Sequence, residues 1–123
     1  MTSLLHRLRD RTEQAVLSGT IWVPVADAGA RSQQWLGERR VFALEVDGAL
    51  AIPAYAFDAE GVPVPALRDV LAVFSDMPPS RVASWFESRS SALNGQRPRE
   101  LLQSDPEAVV AAAQAHLQGP VHG

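Results

Sequence analysis

The hydrophobic residues of this chain recur mainly at intervals of three and four positions, the spacing that places them on one side of a helix. Four stretches follow this pattern. The stripes are Leu4, Leu5, Leu8, Thr12, Ala15 and Val16; Leu67, Val70, Leu71 and Phe74; Val82, Trp85 and Phe86; and Val109, Val110, Ala113 and Leu117. We therefore predict four amphipathic helices, each with one buried side.

Prolines and one polar pair predict where the later helices begin. The prolines at 78–79 end one helix and open the next, because proline is tolerated in the first turn of a helix but not in its interior. Pro98 should likewise open a short helix. Ser104 followed by Glu107 matches a capping box, in which each side chain bonds the other residue's backbone N–H. The last helix should therefore begin near Ser104.

A β-hairpin is predicted in the middle of the chain. Two β-rich runs flank Asp47 and Gly48, and an Asp-Gly pair suits a two-residue turn in which both positions need positive φ. The expected cross-strand pairs are Val46 with Ala49 and Leu44 with Ala51.

The segment Trp22–Arg40 predicts two short helices joined by a turn of small residues at 28–30, and with the hairpin behind it this resembles a winged DNA-reading unit. The side chains that would contact DNA are Arg31, Ser32, Gln33, Gln34, Arg39 and Arg40. Asp27 and Glu38 offset part of the positive charge that phosphate contacts require. The alternative is an element that serves only as scaffold.

The turn-rich segment 57–63 is the predicted boundary between two units. Residues 1–56 would hold the N-terminal helix, the candidate helix-turn-helix and the hairpin, and residues 57–123 a second helical unit. The expected fold class is α+β and mainly α: a helical bundle with one β-hairpin and a degenerate helix-turn-helix.

Composition narrows the chemistry. The 123 residues include no cysteine, which excludes disulfides and cysteine-based metal sites, and the net charge of −3 argues against a surface built to coat nucleic acid. The three histidines, His6, His116 and His122, lie near the chain ends, and the sequence around them does not suggest a Ser-His-Asp catalytic triad. We expect no enzyme, no cofactor and no metal site. The N-terminus also lacks the continuous apolar run of an export signal, so we expect a cytoplasmic protein.

Several weak motifs occur together, in order, in the second half of the chain. They are Trp85-Phe86, then Leu93-Asn94-Gly95, then Pro98-Arg99-Glu100-Leu101-Leu102, then the helix from Glu107 to Leu117. Upstream, Phe57-Asp58, Gly61, Pro63, Pro65 and Val70-Leu71 form a companion block. In this order the segment from about Val41 to Leu117 resembles the Xre/MbcA/ParS family of antitoxins, whose C-terminal domain binds a toxin.

The resemblance implies an antitoxin of a type II toxin–antitoxin pair that neutralises a RES-type, NAD-consuming toxin by covering its active site. Carried over by motif, the toxin-binding residues would be Trp85, Asn94, Gly95, Arg97, Pro98, Arg99, Glu100, Leu101 and His116. Each also has a structural alternative, since Trp85 suits a core position and the two arginines a solvated face. We further expect self-association as a homodimer.

The chain departs from the family pattern at its N-terminus, where fuller members carry a clear DNA-binding domain and this chain has only the segment Trp22–Arg40. Binding to operator DNA, and hence autoregulation, is what this departure puts in question. The alternative function is a small DNA-binding transcriptional regulator that uses its C-terminal unit only for dimerisation.

Overall fold

The computed structural model describes residues 20–118, so the predicted helix at 3–18 and the predicted tail at 121–123 lie outside the described part. Five α-helices and a three-stranded antiparallel sheet make up that part, and 51% of it is helical. The α+β, mainly α class is confirmed. The elements in chain order are β1 (Trp22–Pro24), α1 (Ser32–Gly37), β2 (Leu44–Val46), β3 (Ala49–Pro53), α2 (Pro65–Val73), α3 (Pro79–Glu87), α4 (Pro98–Leu101) and α5 (Pro106–Gln118).

The predicted hairpin is present in its predicted register. Strands β2 and β3 pair Leu44 with Ala51 and Val46 with Ala49. The turn residues Asp47 and Gly48 have φ of 53° and 83°. Both values lie in the left-handed region, which Gly and Asp tolerate better than β-branched residues do.

The first helix predicted within Trp22–Arg40 is wrong. Its residues instead form β1, which pairs with β3 and extends the hairpin to a sheet of order β1-β3-β2, followed by a 3₁₀ turn at Val25–Asp27. Bulky residues in Trp22-Val23-Pro24 favour an extended chain, and β3 offers them an open edge. Only the second predicted helix, α1, exists, and it is six residues long.

The predicted stripes of α2 and α3 are confirmed. Every stripe residue is at least nine-tenths buried: Leu67, Val70, Leu71 and Phe74, and Val82, Trp85 and Phe86. Each of the two helices begins at a proline, Pro65 and Pro79, as does the short α4 at Pro98. The helix starts at Pro79 and Pro98 are therefore as predicted, and the start at Pro65 follows the same rule for proline in a first helical turn.

The last helix differs from its prediction at both ends. Asp105, rather than Ser104, precedes its first residue, and the Asp105 carboxylate accepts a hydrogen bond from the Ala108 N–H at 3.4 Å. The predicted capping box is therefore wrong. Leu117, predicted to be buried, is 60% exposed. Val109 and Ala113 of the predicted stripe are buried, together with Ala112, and Val110 is half-buried. His116 is exposed, but its ring centre lies 6.4 Å from that of Trp85, so at this end of α5 His116 and not Leu117 contacts the helical core.

One buried cluster joins the sheet to the helices. Phe86, fully buried on α3, stacks on Phe42 at 6.0 Å and lies 5.1 Å from the ring of Tyr55. Residues on both sides of the predicted boundary thus contribute to the same core, which also includes Ile52 and Leu102. Within residues 20–118, no helix is long and apolar enough to cross a membrane.

Replacement of Phe86 by alanine should lower the free energy of unfolding by about 3–5 kcal/mol. The loss of the ring would leave a cavity between α3 and the rings of Phe42 and Tyr55. Phe86→Leu, which keeps most of the volume, should cost less than about 2 kcal/mol. Urea unfolding measures both. Leu50→Ala, at a position 53% exposed, is the control and should change stability by less than about 1 kcal/mol. A similar loss for Leu50→Ala and Phe86→Ala would contradict this account of the core.

Candidate functional site

The residues predicted to bind a toxin separate into three groups in the folded chain. The first group belongs to the core. Trp85 is only 8% exposed and lies 5.1 Å from Phe74 and 5.0 Å from Phe86 between ring centres. Pro98 is fully buried, and Leu101 is half-buried against the core cluster. These side chains hold the helices together, as the structural alternative for Trp85 predicted.

The second group forms an ion-pair cluster around Glu87, the last residue of α3. The Arg99 guanidinium donates to the Glu87 carboxylate at 2.7 Å, and Arg97 donates to the Glu87 backbone carbonyl at 2.9 Å. Arg97 also pairs with Glu100 at 3.3 Å, and the hydroxyl of Thr20 donates to the second carboxylate oxygen of Glu87. We call Glu87, Arg97, Arg99, Glu100 and Thr20 the Glu87 cluster.

The Glu87 cluster fixes the segment that leads into α4. Only 13% of the Glu87 side chain is exposed, against 30% and 28% for Arg97 and Arg99. Charge-assisted hydrogen bonds at this depth are stronger than those between fully exposed groups. Both arginines therefore donate hydrogen bonds to Glu87 within the chain. Glu100 is the most exposed residue of the Glu87 cluster on α4.

Tyr55 lies beside this cluster. Burial, and then the negative charge of Glu87, raise the pKa of the Tyr55 phenol far above its ordinary value of 10.0, and the positive charge of Arg99 offsets part of the effect. The phenol consequently keeps its proton well into the alkaline range.

The third group is exposed. Asn94 and Gly95 form a turn with φ of 57° and 82°, closed by a hydrogen bond of 2.8 Å from the Gly95 N–H to the Ser90 carbonyl. Arg89 donates to the Gly95 carbonyl at 3.3 Å, so this turn adjoins the end of α3. His116, on α5, is exposed, and its ring centre lies 6.4 Å from that of Trp85.

An open cleft of about 410 Å³ lies between α3 and α5 and includes His116. We call it the α3–α5 cleft. Its lining combines two arginines, four serines, Trp85, His116 and Met77: the arginines are Arg81 and Arg89, and the serines are Ser84, Ser88, Ser90 and Ser91. His116, one of the exposed toxin-binding candidates, therefore lines this polar cleft. Gly95, another candidate, is connected to the cleft because its carbonyl accepts a hydrogen bond from Arg89.

The residues predicted to contact DNA lie on and after α1, and several have partners within the chain. Ser32 is buried, and its hydroxyl lies 3.1 and 2.9 Å from the carbonyl oxygens of Val25 and Gly29. Its role in the fold is to hold the 3₁₀ turn against α1. The remaining candidates are exposed or half-buried: Arg31 and Gln33 are free of such contacts within residues 20–118, Gln34 bonds Glu38, Arg39 bonds the Ser75 carbonyl, and Arg40 pairs with Glu38.

Sequence reasoning missed Glu87 and Arg89. Nothing in the local sequence around Glu87 indicates two arginine partners ten and twelve positions later. The only available signal was the pair Arg97 and Arg99 flanking Pro98, two cations that a folded chain tends to pair when they are half-buried. Within the described residues, no group of three His, Asp or Glu side chains is arranged to hold a metal ion.

Comparison of the chain with known protein families, with curated proteins and with solved structures yields no match. The family resemblance stays a prediction carried by the order of the motifs.

Substitution of Glu87 by alanine should lower the free energy of unfolding by about 2 kcal/mol, because it leaves two half-buried guanidinium groups without their shared carboxylate. Glu107→Ala, an exposed glutamate on α5, is the matched control and should shift stability by less than about 0.5 kcal/mol. Denaturant unfolding of both variants makes the comparison. Equal, negligible losses would show that the Glu87 cluster is solvated and energetically neutral.

Tyr55 is the only tyrosine, so ultraviolet absorbance of tyrosinate reports it alone. In denaturant the phenol should ionise near pH 10, and in the native protein it should still be protonated at about pH 11. Because the folded state holds the proton more tightly, stability is full below pH 10 and declines as the pH rises above it. Native titration coincident with that of the denatured chain would contradict the buried environment of Tyr55.

Proposed function

We propose that this protein is an antitoxin that neutralises a RES-type, NAD-consuming toxin by binding it and covering its active site. The observation that carries the proposal is that the motif residues divide cleanly by role. Trp85, Pro98 and Leu101 build the interior of one helical unit, while the Asn94-Gly95 turn and His116 stay on its surface. This division is what a binding module needs: a rigid frame and an accessible face.

Rigidity supports an occlusion mechanism. A surface that is already ordered before association loses little conformational entropy on binding, so more of the contact energy appears as affinity. The Glu87 cluster fixes the chain before α4, and the left-handed turn at Asn94 and Gly95 fixes the chain after α3. The exposed side of this unit, from the turn to the C-terminal end of α5, is the docking surface we propose.

The proposal also includes the cellular setting. A cysteine-free chain suits a reducing compartment, so we place the complex in the cytoplasm. Self-association as a homodimer is part of the same proposal.

Truncation is a poor test of this function. Removal of residues 97–123 would also remove Leu102 and Val109, both fully buried, and the remainder would lose part of its core. Point substitutions at exposed alanines avoid this problem because they add bulk and charge without opening a cavity.

Two variants test the docking surface: Ala92→Arg, beside the Asn94-Gly95 turn, and Ala115→Arg, beside His116. Each should weaken binding of a RES-type toxin at least about tenfold, since a misplaced charge in a buried interface costs several kcal/mol. Ala72→Arg, on the exposed side of α2, is the matched control and should bind as the unmodified protein does. All three alanines are exposed. Co-purification measures binding, and NAD consumption by the toxin measures neutralisation.

Two outcomes would count against the proposal in different ways. If the unmodified protein and the toxin elute apart and NAD consumption is undiminished, the protein is not the antitoxin of that toxin. If they bind but neither Ala92→Arg nor Ala115→Arg weakens the complex relative to Ala72→Arg, the docking surface lies elsewhere on the chain.

A further inference from the structure

The α3–α5 cleft has a chemical character that protein docking alone does not require. Its lining places cationic, hydroxyl and aromatic side chains around about 410 Å³ of open space. We propose that the cleft binds a 5′-nucleotide, with the phosphate held by Arg81, Arg89 and the hydroxyls of Ser84, Ser90 and Ser91, and the base held against the exposed ring of His116. This inference does not depend on the proposed function.

The charge of the cleft favours an anion. Arg81 and Arg89 carry full positive charge at any physiological pH, and none of the nine residues that line the cleft is acidic. The chain as a whole has a net charge of −3, so the cleft is opposite in sign to the rest of the molecule. Guanidinium groups also present paired N–H donors that match the oxygens of a phosphate.

Ser84, Ser90 and Ser91 supply the remaining donors. Ser84 and Ser88 lie three and seven residues after Arg81, so they share one face of α3 or its immediate extension with it. The hydroxyl of Ser88 donates its one proton to the Ser84 carbonyl at 2.7 Å, so Ser88 lines the cleft without offering a donor to an anion. Ser91 lines the same cleft from the 3₁₀ turn that follows α3. Hydroxyls from two elements thus converge with the arginines on one space.

The aromatic part of the cleft is held in place from behind. The ring centre of His116 lies 5.9 Å from that of Phe74 and 6.4 Å from that of Trp85, and Phe74 is fully buried. A planar ring that enters the cleft can stack on the exposed ring of His116, which packs against Phe74 and Trp85. The volume falls within the lower range of small-ligand sites, which suits a mononucleotide better than a dinucleotide.

The test is to titrate the full-length protein separately with AMP, adenosine and inorganic phosphate. Two-dimensional NMR of the backbone amides and the tryptophan indoles monitors each titration. AMP should perturb the Trp85 indole and the amides of Ser84, Ser88 and Ser91 at millimolar or lower concentration. Adenosine and inorganic phosphate should each bind at least about tenfold more weakly, because each offers only half of the contacts. Free phosphate as the true ligand would appear as binding equal to that of AMP.

Arg81→Gln and Arg89→Gln should each weaken AMP binding about tenfold, and Arg68→Gln, at an exposed arginine on α2, should leave it unchanged. All three positions are exposed, so circular dichroism should show an unaltered fold. The proposal is overturned if AMP fails to shift these resonances at millimolar concentration, if adenosine or phosphate binds as tightly as AMP, or if Arg68→Gln weakens binding as much as the two cleft variants do.

Discussion

The packing of Phe86 against Phe42 and Tyr55 is the contact on which the described structure depends. Phe42 precedes β2 and Tyr55 follows β3, so this contact joins α3 to the segments that flank the hairpin, and it leaves no exposed surface on Phe86. The residues on either side of Phe86 extend the effect. Trp85 packs towards Phe74 and His116, and Glu87 binds Arg97 and Arg99. Three consecutive residues at the end of α3 therefore contact three different parts of the structure. Trp85 packs against α5, Phe86 packs against the segments that flank the hairpin, and Glu87 binds the arginines at the start of α4.

This arrangement changes the meaning of the motifs in the second half of the chain. Several residues that a family resemblance would assign to partner binding have roles in folding: Trp85 and Pro98 are buried, and Arg97 and Arg99 are paired with Glu87. In this chain the tryptophan and the Pro-Arg-Glu-Leu-Leu segment therefore contribute to folding before they contribute to any binding surface. Candidates for binding are better sought among exposed neighbours of these residues, such as Arg89 and His116.

Local patterns predicted local structure well. The hairpin register followed from the Asp47-Gly48 turn, because a two-residue loop leaves no freedom in pairing. The stripes of α2 and α3 followed from spacing, because both helices present one side to a single core. The failures came where a distant segment competed. Residues 22–24 found an open edge of β3 and became a strand, and α5 turned so that His116, not Leu117, faces the aromatic core.

Residue type and near-neighbour spacing were enough to predict the fold class, the helix starts at Pro79 and Pro98 and the absence of thiol chemistry. Which charged side chains are available for binding depends on contacts between segments that are distant in the sequence. Arg97 and Arg99 look equivalent to Arg81 and Arg89 in the sequence, yet the first pair is bound to Glu87 and the second lines an open cleft. An ion pair forms only between groups that meet in space, and α3 brings Glu87 to one pair of arginines and not to the other.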